Sequence, residues 1–165
     1  MIASSMANQI MNETENCSDP FEANNKFFKA ICDYVEANAQ VFYAWSGFNP
    51  AGIPDPQVVI QTKIITSGSL SPSGATDCSS ALAALSSMLN SNASTWTIDF
   101  ASAGFTLSPA FIIPTIMITP SGANERKAAI THICQEIING IKAATPVASG
   151  AHAAFTGAAT FTQIL

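Results

Sequence analysis

Apolar residues recur at helical spacing in two long segments of the chain. From Asn124 onward, Ile130, Ile133, Cys134, Ile137, Ile138 and Ile141 fall at i, i+3, i+4, i+7, i+8 and i+11. At 3.6 residues per turn they share one face, which predicts an amphipathic helix. Glu125, Arg126, Lys127, Gln135, Glu136, Asn139 and Lys142 lie off that stripe. Asn124 is the expected cap, and the helix should end by Ala144, because Thr145 precedes Pro146 and is pushed toward extended backbone. An earlier helix is announced by Asp19 as cap, Pro20 at the first helical position and Glu22 three residues after the cap. Its stripe is Phe28, Ile31, Cys32, Val35, Ala39 and Phe42. A second apolar set, Phe27, Tyr34, Val41 and Trp45, runs beside it and makes the arc wider than one core contact requires. A third helix is read from Asp77 to Asn90, capped by Thr76 or Asp77, with Leu82, Leu85, Met88 and Leu89 inward.

Alternation replaces helical spacing elsewhere. Val58 to Thr66 places Val58, Ile60, Thr62 and Ile64 on one face and Val59, Gln61, Lys63 and Ile65 on the other. Thr95 to Phe100 sets Trp96, Ile98 and Phe100 against Thr95, Thr97 and Asp99. Phe105 to Leu107 reads as a short return strand. Phe111 to Thr119 is extended but broken or at an edge, because Pro114 cannot donate to a ladder. Beyond Pro146 the pattern allows one or two short strands around Gly150 and Gly157, anchored by Phe155 and Phe161. Gly47 to Pro56 is a loop, and Met1 to Cys17 is polar with little periodicity.

These elements predict an α+β fold: three amphipathic helices packed on one side of a small, mainly antiparallel sheet, with an extended N-terminal arm. Residues 1–18 form the arm and 19–165 a single α+β domain. Setting Cys32 against Cys134 matches Phe28, Ile31, Val35 and Ala39 with Ile130, Ile133, Ile137 and Ile141, the pattern an internal duplication would leave.

Composition changes the picture at the surface. Charged residues are 10 % of the 165, against roughly 25 % in an average soluble domain. Between Ala37 and Asn124 the charged side chains are Asp55, Lys63, Asp77 and Asp99. A free monomer carries mixed charge to avoid association, so a chain without it is expected to cover surface in an assembly. The alternative is a neutral, Ser/Thr-rich secreted monomer. Net charge is −5, and Lys26, Lys29, Arg126 and Lys127 make no basic stripe, which argues against nucleic acid. No apolar run is long enough to span a membrane, and the N-terminus lacks the charge and apolar core of a signal peptide; Met6 is an alternative start. Cys17, Cys32, Cys78 and Cys134 stand far apart and read as reduced thiols. Asn12, Asn16 and Asn92 open N-x-Ser/Thr triplets, read as chance matches in the absence of a secretion signal.

Candidate chemistry is sparse. His132 and Cys134 project about 200° apart on a helix and cannot share a metal. His132 stands four residues before Glu136, and His152 lies in a glycine-bounded tail. Neither a GxSxG elbow nor a phosphate-cradling glycine loop is present. No catalytic, cofactor-binding or metal-ligating set is assigned; the weakest alternative is a hydrolase using His152.

The chain from Asn124 resembles the C-termini of some small tailed-bacteriophage virion proteins. The residues that carry the likeness are the amphipathic helix, Ala144-Thr145-Pro146-Val147, Ser149-Gly150, Phe155-Thr156-Gly157 and a Thr/Ala-rich finish. The resemblance implies a non-enzymatic structural subunit of head, neck, tail or baseplate, located in the virion after assembly in the host cytoplasm. Its expected partners are copies of itself and other virion proteins, with no nucleic acid, membrane or cofactor. Candidate interface residues are Phe27, Tyr34, Val41, Trp45, Phe155 and Phe161, together with the tail after Pro146 and the N-terminal arm. The second reading is a secreted or surface-exposed binding module using the loop from Trp45 to Pro56 for an apolar or carbohydrate ligand.

Overall fold

A computed structural model of the chain describes residues 1–48, 51–71, 74, 77–99, 105–112, 116–152 and 156–165. Four helices, α1 (Ala3–Thr14), α2 (Pro20–Asn38), α3 (Cys78–Ala93) and α4 (Arg126–Lys142), accompany six strands. The strands are β1 (Gln40–Phe48), β2 (Pro54–Ile65), β3 (Thr97–Asp99), β4 (Phe105–Ile112), β5 (Thr145–His152) and β6 (Thr156–Ile164). The first sheet runs β3-β2-β1-β6 and the second pairs β4 with β5, all antiparallel. The α+β class read from the sequence is the class found. After α1 the chain repeats one unit, a helix followed by two strands, three times: α2-β1-β2, α3-β3-β4 and α4-β5-β6.

The helical stripes become the core. On α2, Phe28, Ile31 and Val35 are buried; on α4, Ile130, Cys134, Ile137, Ile138 and Ile141 are buried. The sheet meets them with one face, through Val41, Tyr43, Thr62, Ile64, Ile98 and Ile164. Its opposite face is left open at the same end. Gln61, Lys63 and Ile65 are exposed, and Phe42 is half-buried between Gln61 and Gln163 in the register. One covered and one solvated face is what an antiparallel sheet tolerates. Asp19 caps α2 as its position indicated, accepting from the N–H groups of Phe21 and Glu22. Asp77 caps α3 through Ser80 N–H.

Several boundaries differ from the pattern. The N-terminal segment is helical rather than extended: Ala3, Met6, Ala7, Ile10 and Thr14 form a buried stripe against α2 and α4. Two of those five are alanines, so the stripe is faint in a hydropathy reading, and docking rather than propensity makes the helix. The helix from Asp19 stops at Asn38, and Val41 and Trp45 belong to β1. The run Val-Phe-Tyr favours strand, and Val41 and Tyr43 are buried while Phe42 between them is not, a period of two. β4 also runs through Pro109 to Ile112 instead of ending at Leu107. The N-cap of α4 is Glu125, without a side-chain bond, not Asn124.

Candidate assembly surfaces

Two of the six expected interface residues are not at the surface. Tyr34 is 6 % and Val41 0 % exposed, both inside the chain's own core. Tyr34 has a specific intramolecular role: its hydroxyl accepts from Ile2 N–H at 2.7 Å and donates to Ile2 C=O at 3.0 Å. Phe27 is partly buried and faces Leu82, Leu85, Met88 and Ile133 across an apolar groove of about 200 Å³ between α2, α3 and α4. Trp45 and Phe161 lie on β1 and β6, paired strands of the first sheet; their side chains are outside the described part, and Phe155 lies outside the described residues. The tail after Pro146 is not a free contact segment. β6 pairs with β1 from Phe48 to Val41, and Ile164 is buried, so the tail completes the sheet.

Polar ties position the remaining segments. α1 is held at its far end by Arg126, whose guanidinium donates to Thr14 Oγ1 at 2.9 Å while Thr14 donates to Ile10 C=O. Two asparagines of α3 clamp the segments on either side of it. Asn90 accepts from Ile116 N–H at 2.8 Å and donates to Ile116 C=O at 3.0 Å. Asn92 does the same to Ser69, with both distances 3.0 Å, and also donates to Met88 C=O. Each carboxamide thus replaces a strand neighbour. Ser86 adds a bond from Ile118 N–H. Gly68, at φ +120°, lets the chain pass so close that a Cβ there would lie 1.7 Å from Asn92 Oδ1. These clamps were invisible as patterns, since an asparagine late in a helix carries no signal of what it will meet.

Among the described side chains, those with possible chemistry are apart or already engaged; the side chain of His152 lies outside the described part. His132 Nε2 lies 3.3 Å from Thr119 Oγ1 and 3.8 Å from Glu136 Oε1. Glu36 accepts from both N–H and hydroxyl of Thr66. Beside it a groove of about 400 Å³ is lined by Lys29, Cys32, Asp33 and Ser67 among others, with Lys29 paired to Asp33. Burial pushes the Cys32 thiol up, and that of Cys134 up to about 12, so both resist becoming thiolates. All four cysteines are free. Among the described residues no cluster of His, Cys, Asp and Glu is arranged to hold a metal ion, and no helix is long and apolar enough to cross a membrane.

Exposed apolar groups occur on both sides: Ile2 and Phe21 stand at the starts of α1 and α2, Met117 in the segment before α4, and the others at the strands. Phe48 (49 %) and Ile53 (59 %) flank the β1–β2 turn, and Ile65 (46 %) lies on the open face. β1, β4, β5 and β6 contain no Asp, Glu, Lys or Arg; the strands' only charged residues are Asp55, Lys63 and Asp99. The helices and their caps carry the rest, Glu13 and Glu15 at the end of α1 among them. Comparison with protein-family models, with curated protein sequences and with solved structures finds no match to this chain.

Proposed function

We propose that the protein is a non-enzymatic structural subunit of a tailed-phage virion that self-associates through the open side of its strand layer. The observation that carries the reading is the segregation of charge. A helical side with ion pairs such as Lys26–Glu22 and Lys29–Asp33 backs a strand side with almost none. Strands poor in charge, with Lys63 exposed on the open face and apolar side chains at the rim, carry few of the charges that keep sheets from associating. The virion setting rests on the resemblance of the C-terminal segment to small phage proteins. The self-association half rests on the fold.

Charge placed on the open face tests it. Gln61→Glu and Gln163→Glu put two carboxylates on either side of Phe42, on surface positions where the fold tolerates them. The double variant should keep the wild-type circular dichroism and lose association in light scattering. Unchanged association would move the interface off this face.

A further inference from the structure

We infer that α1 is an exchangeable element, docking in the α2–α4 groove of a second copy as well as in its own. The inference rests on the self-association proposed above and names the segment that would pass between copies.

Three observations support it. First, α1 packs on α2 and α4, and its polar ties in this structure are to Tyr34 and Arg126, on those same helices. Lifting it away breaks no strand pairing. Second, α1 does not hold itself together: it has no side-chain cap, no acidic residue in its first turn and no basic residue in its last. Five of its twelve residues, Ser4, Ser5, Asn8, Asn12 and Thr14, are weak helix formers. A helix this short is marginal alone in water, so its order comes from the groove it docks in. Third, Met6, Ala7 and Ile10 are fully buried. The released groove therefore presents an apolar floor between the Tyr34 hydroxyl and the Arg126 guanidinium. What fits that groove is the same helix, from any copy.

The segment Glu15 to Asp19 is the hinge between α1 and α2. With the hinge folded back, α1 closes on its own α2. With it extended, α1 reaches a neighbour, where the same apolar contacts and the same Ile2 and Thr14 bonds form in trans. Exchange of this kind needs no new contact, only a high local concentration of copies, which an assembling subunit supplies.

Hinge length separates the two closures. Deleting Asn16 to Ser18 prevents folding back and should lower the concentration at which oligomers form by about tenfold or more. Inserting a flexible Gly/Ser stretch after Cys17 eases folding back and should raise it by a similar factor. Sedimentation of wild type and both variants over a concentration series reads this, with circular dichroism confirming the fold. Equal association in all three overturns the exchange and leaves self-association by the sheet intact. Association in none of them removes both. Should the deletion unfold the chain, the insertion variant alone decides, because a shift toward monomer has no other source in an exposed, flexible addition.

Discussion

At the scale of single residues, the largest effects should come from groups whose partners are fixed backbone. Asn90→Ala leaves the N–H and C=O of buried Ile116 without their present partners. An unsatisfied buried polar group costs roughly 1–3 kcal/mol, so a drop of that size in denaturant stability is expected. Gly140→Ala would set a Cβ 2.5 Å from Ile116 Cγ1, so the buried Ile116 side chain would have to shift. Overpacking of this kind costs about 1–3 kcal/mol, and the same unfolding experiment reads it. The thiols differ by exposure: Cys78 is exposed and Cys134 buried. A thiol reagent at neutral pH should therefore modify Cys78 in the native protein and Cys134 only after unfolding. Burial raises the Cys134 thiol from 9.0 to about 12 and pushes the Tyr43 phenol up from 10.0. In the unfolded chain these groups ionise at their ordinary values, so the folded state retains protons that the unfolded state releases. Stability is thus intact below about pH 9 and falls above it through Cys134, and above about pH 10 through Tyr43 as well, by roughly 1.4 kcal/mol per pH unit for each group. Urea midpoints measured near neutrality and in strong alkali check the sign.

Elements were legible where periodicity was long and hidden where a neighbour supplied the reason. The isoleucine stripe of α4 and the Asp19-Pro20 start of α2 can be read directly, because each depends on residues within the element. The end of α2 cannot. Val41 and Trp45 continue a helical spacing in sequence, yet pairing of β1 with both β2 and β6 takes them into strand. α1 was missed for a related reason, since its stripe has meaning only once α2 and α4 create a groove. The candidate interface suffered most: Tyr34 and Val41 were placed outside because the arc on α2 looked too wide, and the extra width is where α1 and the sheet pack. The strand reading of the tail was right in kind, but only the ladder to β1 shows that β6 is structural. Removing residues 145–165 takes away β5 and β6 and opens the core at Val41 and Tyr43. The truncated chain should lose cooperative unfolding rather than remain folded and assembly-defective; circular dichroism on heating distinguishes the two.

For the whole molecule, the account turns on which side faces other copies. The charged side chains sit mostly on the helical side, while the strand side offers Phe42, Phe48, Ile53 and Ile65, with Lys63 exposed on the same face as Ile65. Contacts between such surfaces are driven by apolar burial, which excluded salts such as sulfate strengthen, whereas contacts between charges weaken as salt screens them. Light scattering on the pure protein, over a concentration series at low and high sulfate, tests this most directly. Self-association through the strand side gives masses above the 17.2 kDa of one chain, persisting or growing at high salt. A monomer at every concentration, or oligomers that dissolve as salt rises, would contradict it.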